Sequence, residues 1–315
     1  GRIFITQTPG NPAPGEYVRL TAASPLIDLE KSDITWYADN KVIAEGRGQI
    51  SAGIFAGEAG SETDIVVIAQ SQNASATGEA FVRPARVGLM WESDSYAPPF
   101  YRGRALPSAG TKLRVQALAQ LVLPEGSLVP ESEITYTWKR NGAVIRSASG
   151  IGRSFAIFPS PTLFGTDIIE VEAATRDGMR SGKASVSIPS IEPVLVLYED
   201  HPLFGIMYGK TFSRTTSVKE TEMTFAAVPY FAQANSPDDA QFIYKWQVNG
   251  LNVIADYLRP SKITINSTDS SGEAFLALSL TRARNWYMKA AGEWNVLFPS
   301  GTGERLASDP FNPSE

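Results

Sequence analysis

The chain contains no cysteine and a single histidine, His201, in 315 residues. Without thiols there are no disulfide staples, no thiolate nucleophile and no cysteine-held metal. With one imidazole, zinc would need carboxylates alone beside it, and a Ser-His-Asp triad has a single candidate base. Charge is scarce too: 19% of residues are charged, the net charge is −5, and no lysine or arginine block occurs. A nucleic-acid partner is therefore not expected. No apolar run reaches the roughly 18 residues that a membrane-crossing helix needs. Helical periodicity is missing; the nearest case, Ala105 to Ala119, is broken by Pro107 and Gly110. The Gly-x-Gly pairs at 46–48 and 150–152 lack a third glycine and a following helix, so neither is a dinucleotide loop. No catalytic motif remains, and neither an enzyme nor a cofactor is expected. Some exported bacterial proteins avoid cysteine, and a start at Gly1 fits either a cleaved leader or a trimmed end. An extracellular or cell-surface location in a bacterium is the expectation.

What the chain does have is one phrase written three times. Ile134-Thr-Tyr-Thr-Trp138-Lys-Arg-Asn141-Gly142-Ala-Val-Ile145 alternates apolar and polar residues, turns at Asn-Gly and resumes as a β-favouring run. A type I′ hairpin turn needs positive φ at both central residues, which Asn-Gly supplies. Ile34 to Ile43 repeats it around Trp36 and Asp39-Asn40, and Ile243 to Ile254 around Trp246 and Asn249-Gly250. Tryptophans at 36, 138 and 246 stand 102 and 108 residues apart, one β-sandwich per repeat. The spacing predicts an all-β chain of three consecutive Ig-like β-sandwich domains in an extended rod. Their expected bounds are 1–84, 85–190 and 191–299, with 300–315 a tail or linker. Each domain closes with a hairpin: Thr63–Ala69 with Gly78–Val82, Asp167–Ala173 with Lys183–Ile188, and Ala274–Leu280 with a longer aromatic strand.

The pattern W-x-x-N-G-x-x-[IV], followed by a paired closing hairpin, resembles bacterial tandem Ig-like and PKD-like surface domains. It is similar to exported three-sandwich proteins of unknown role. The resemblance implies that each repeated tryptophan lies in a sandwich core. The disulfide that an antibody domain sets beside it cannot form here, and the tyrosine corner is absent at Ile65-Val-Val and Ile168-Ile-Glu. The implied role is a non-enzymatic, exported structural or adhesive protein of the cell surface. Assembly as an extracellular filament by β-strand addition is one form of it. The alternative is a carbohydrate-binding module that uses aromatic platforms.

A second duplication opens the second and third domains. Trp91 and Tyr198, Glu92 and Glu199, and Tyr101 and Tyr208 correspond at a constant offset of 107. With Tyr96, Phe100 and Phe204 they are expected to stiffen interdomain joints; Tyr96, Phe100 and Tyr101 are also the candidates for stacking on sugar. Glu92, Asp94, Glu199 and Asp200 are weak calcium candidates, since calcium wants six to eight oxygens and only two carboxylates stand at each joint; solvated or cation-paired carboxylates are the plainer reading. The last hairpin departs from the repeat with Arg282, Arg284, Trp286, Tyr287 and Trp294, a composition typical of binding hot spots. The partners expected are another copy of the protein or a surface partner, with glycan as the other option.

Overall fold

The computed structural model describes residues 1–72, 74–123, 125–161, 165–217, 222–266, 268 and 272–298. The expected tail, 300–315, lies outside the described residues. Among the described residues, apart from two short 3-10 turns, Leu29–Lys31 and Glu131–Glu133, every regular element is a strand.

The first sandwich is built from β1 (Phe4–Thr8), β2 (Tyr17–Ala23), β3 (Asp33–Ala38), β4 (Lys41–Arg47), β5 (Ser51–Phe55), β6 (Thr63–Gln70) and β7 (Ser75–Val82). Its two sheets run β1-β2-β5 and β4-β3-β6-β7. The second holds β8 (Arg86–Ser93), β9 (Lys112–Gln120), β10 (Thr135–Arg140), β11 (Ala143–Val144), β12 (Gly150–Ile151), β13 (Phe155–Pro159), β14 (Thr166–Ala174) and β15 (Ser181–Pro189). Its sheets run β13-β9-β8 and β11-β10-β14-β15, with β12 also on β10. The third holds β16 (Val194–His201), β17 (Gly205–Thr211), β18 (Thr215–Ser217), β19 (Glu222–Tyr230), β20 (Phe242–Val248), β21 (Leu251–Val253), β22 (Lys262–Asn266), β23 (Gly272–Arg282) and β24 (Asn285–Phe298). Its sheets run β17-β16-β19-β22 and β18-β24-β23-β20-β21.

Period-two burial explains why these segments are strands. Along β2 every second residue is buried, so Val18, Leu20 and Ala22 face the core while Tyr17, Arg19 and Thr21 face out. The three tryptophans fill equivalent core positions, at 0%, 0% and 1% exposure. Each indole N–H donates to a carbonyl further along the chain: Trp36 to Gln49 at 2.8 Å, Trp138 to Arg153 at 2.8 Å and Trp246 to Pro260 at 3.0 Å. The ring thus fills the core while its one polar group stays paired.

The turn residues do more than reverse the chain. Asp39, Asn141 and Asn249 all have positive φ, as the type I′ geometry requires. The side chain of each also accepts the N–H of a later strand: Asp64, Ile168 and Phe275, at 3.0, 2.9 and 2.8 Å. Their own backbone N–H groups donate to the carbonyls of those same three residues. One Asx residue per sandwich therefore shapes the central hairpin and pins the closing hairpin to it.

By contact density the chain divides into two compact units. One comprises 1–91, 114–158 and 167–188; the other comprises 92–113, 159–166 and 189–315. The division passes through the second sandwich, so each unit contains a junction between consecutive sandwiches.

Candidate functional site: an aromatic and polar joint

The second unit brings both copies of the duplicated element into one place. Loop 94–111, between β8 and β9, packs on the residues that follow β19. Tyr96 donates its N–H to the Ala232 carbonyl at 2.8 Å and accepts the Phe231 N–H at 2.6 Å. The Ser108 hydroxyl, fully buried, donates to the Phe231 carbonyl at 2.6 Å. Phe231 has φ 63, which a bulky side chain avoids. Such a conformation persists only where neighbours overdetermine it, and here three hydrogen bonds to loop 94–111 do so.

Tyrosines surround this bridge. Tyr101 meets Tyr230 and Phe231 edge-on, both at 5.6 Å. Tyr198 lies 5.4 Å from Tyr208 and shares a 2.5 Å hydrogen bond with Tyr230. The Tyr96 phenol interacts with that of Tyr208. Burial raises the pKa of the Tyr96, Tyr198 and Tyr208 phenols above the ordinary value, and neighbouring phenols push the same way for Tyr96 and Tyr198. Tyr244 is raised too, by burial first and then by Asp238. These hydroxyls stay neutral through the physiological range and act as hydrogen-bonding groups within an apolar cluster.

Beneath the rings lies a buried hydroxyl network. Thr111 Oγ1 donates to the Ser108 carbonyl at 2.8 Å, accepts the Ser108 N–H at 3.1 Å and meets Ser160 Oγ at 2.6 Å. Asn285 Nδ2 reaches across to the Ala109 carbonyl at 2.8 Å and to Gln233 Oε1 at 3.0 Å. Arg282 secures the same region by donating to the Gln233 carbonyl and pairing with Asp239 at 3.6 Å.

In the first unit the turn-rich segment after β1 makes the comparable link. Asn11 Oδ1 accepts the Ser181 hydroxyl at 2.7 Å, and the Ala85 N–H donates to the Pro12 carbonyl at 3.0 Å. Gly60 has φ 90, and a Cβ there would run into Val122, so the two loops approach closely enough to need glycine.

Several expected site residues fall elsewhere. Phe100 is 90% exposed and Phe204 73% exposed, so neither packs in the joint; Phe204 instead stacks on His201 at 4.8 Å. Trp91 is half-buried and Glu92 exposed on β8. The two copies also differ in form, the first being a strand and loop and the second the β16–β17 hairpin. The four calcium candidates do not converge. Glu199 pairs with Lys210 at 3.8 Å, Asp200 with Lys262 at 2.5 Å, and Asp94 accepts the Lys112 N–H at 2.6 Å. Among the described residues no three acidic or histidine side chains are grouped to hold a metal. Trp294 is a core residue at 7% exposure, not part of a surface patch, because its ring folds back over Gly292 on the same face of β24. Arg282 is committed to the joint. Trp286, at 93%, Tyr287 and Arg284 are exposed.

Ser108, Thr111, Ser160, Gln233 and Asn285 escaped the sequence reading. Leu106 to Thr111 has the composition of any turn, and the partners of Ser108 and Ala109 lie 123 and 176 residues away.

The strand order places the chain among tandem Ig-like β-sandwich proteins. No protein-family model and no curated protein matches it. Among solved structures, the fibronectin(III)-like modules of Clostridium thermocellum CbhA are similar at 15% identity, covering 60% of this chain and 94% of theirs, with a TM-score of 0.28. The three N-terminal domains of the bacteriophage RB49 Highly Immunogenic Outer Capsid protein are similar at 12% identity, covering 94% and 97%, with a TM-score of 0.27. SGBP-B of the Bacteroides ovatus mixed-linkage glucan utilization locus, solved with a mixed-linkage heptasaccharide, is similar at 14% identity, covering 91% and 65%, with a TM-score of 0.26. Among the described residues no helix is long and apolar enough to cross a membrane.

Proposed function

We propose that the protein is a non-enzymatic structural arm of a bacterial cell surface, with domains 1–84, 85–190 and 191–299. The observation that carries this reading is the joint in the second unit. A flexible linker between independent modules needs no strained Phe231, no buried Ser108–Thr111–Ser160 network and no backbone bridge from Tyr96. Those features suit a protein whose task is to hold one sandwich fixed on the loops of the one before it. Assembly of copies by β-strand addition is the finer form of the proposal.

Backbone 15N relaxation tests it: loop 94–111 and the strands of the third sandwich are expected to tumble with one correlation time. Independent tumbling would sink the structural reading. A second reading, glycan binding, is favoured by the exposure of Trp286 and Phe100, since open aromatic rings suit pyranose faces. A glycan array with Trp286→Ala as control separates it from the first: the structural reading expects no hit.

A further inference from the structure

The outer sheet of the third sandwich, β18-β24-β23-β20-β21, has two unequal edges. Strand β23 covers one side of β24 without a break from Gly272↔Phe298 to Thr281↔Lys289. On the other side, among the described residues, β18 covers Asn295 to Leu297. Asn295 donates its N–H to the Arg214 carbonyl at 2.6 Å, so the backbone of Asn295 points to the β18 side. The period of two then aims the N–H and C=O of Glu293, Ala291 and Lys289 the same way. Among the described residues no strand pairs with them. The edge is smooth, running Ala290-Ala291-Gly292, and beside it lies a depression of about 650 Å³ lined by Leu195, Phe212, Arg214 and Trp294. Sheet edges left in this state are templates for another strand, and proteins usually blunt them.

The opposite edge is the short strand β21, which among the described residues pairs with β20 alone. Leu251 and Val253 are exposed on it, and Ile254, Tyr257 and Leu258 follow, with Ile254 at 98% exposure. An apolar cluster of this kind on a protein surface marks an interaction site. Val248 and Leu251 flank a two-residue turn and bond to each other, so the backbone of Asn252 faces outward. The charges differ as well. Arg284 and Lys289 stand on the β23–β24 hairpin and Arg214 beside β24, with Glu293 the one acid along that edge. The groove beside β21 is lined by Asp238 and Asp256 against Lys245, and by Asp239, which is paired with Arg282.

We propose that a second copy of this chain docks its β21 edge on the open edge of β24, with the apolar side chains after β21 filling the depression beside Trp294. The occupant follows from the complementarity: an apolar, acid-flanked strand at one edge and an uncovered, base-flanked strand beside a hollow at the other. The contact joins different surfaces of the two copies, so it is heterologous, and its repetition makes a ring or an open filament according to the rotation it imposes. This rests on the assembly form of the proposed function and names its surfaces.

The absence of cysteine gives a clean background for a test. The double variant Asn252→Cys, Ala291→Cys is oxidised at increasing protein concentration. The expected result is a ladder in multiples of 34.1 kDa, with each single variant staying monomeric and a mixture of the two giving dimers. Dimers from Ala291→Cys alone would mean that like edges meet and would overturn the proposal. So would an unlinked double variant; sedimentation then shows whether the protein still assembles, which leaves the assembly reading standing, or does not, which removes both. Ala291→Pro deletes one outward N–H without touching the β23 ladder. It is expected to abolish assembly and leave the thermal midpoint unchanged.

Discussion

Trp138→Ala is expected to destabilise the second sandwich by about 3–5 kcal/mol, enough to detach its unfolding from that of its neighbours. The ring is fully buried, meets Phe158 edge-on at 6.0 Å, and its N–H holds the Arg153 carbonyl. Alanine removes all of that and leaves a cavity between the two sheets. Trp138→Phe keeps most of the apolar volume but leaves the Arg153 carbonyl without its donor, at a cost of about 1–3 kcal/mol. Urea unfolding of the whole chain, followed by the fluorescence of the remaining tryptophans, separates the cases. The alanine variant should show a new early transition and the phenylalanine variant a smaller shift. Unchanged curves for both would remove Trp138 from its place as the centre of that core.

The second large effect is expected at Thr111→Val, which keeps shape and removes one hydroxyl. Thr111 Oγ1 serves the Ser108 N–H and Ser160 Oγ, and all three residues are buried. Each buried polar group left unpaired costs about 1–3 kcal/mol. The loss should not stay local, because the hydroxyl of Ser108 holds the Phe231 carbonyl across the joint. Thermal unfolding of the variant is expected to start lower and to separate the third sandwich from loop 94–111. Tyr101→Phe, which leaves the ring packing in place, serves as the control and should change little. A Thr111→Val transition that superimposes on the wild type would show that the network contributes nothing to the coupling.

The two expected effects also mark what could be read from the sequence. Trp138 was legible because it sits inside a pattern with two periods at once. The alternation of two along the strand fixes which face it takes, and the recurrence about every hundred residues fixes its role. Asn141 was legible as a turn residue, though not as the clamp on Ile168, since that partner lies 27 residues on. Thr111 was not legible. Loop residues carry no period, and a buried hydroxyl reads like a solvated one until its partners are known. The aromatic duplication singled out Tyr96, Tyr101, Tyr198 and Tyr208, which the structure places around the bridge between loop 94–111 and the residues after β19. It also drew in Phe100 and Phe204, because the spacing could not show that those rings pass into solvent.

The claim that orders the rest is that loop 94–111 and the residues after β19 form one rigid joint. Amide hydrogen exchange at Tyr96 and Phe231 tests it most directly, since each N–H is bonded across that joint, at 2.8 and 2.6 Å. A rigid joint predicts that both exchange as slowly as the core amides of Trp246 and Leu278. Exchange of Tyr96 and Phe231 at the rate of exposed loop amides, with the core still protected, would contradict it.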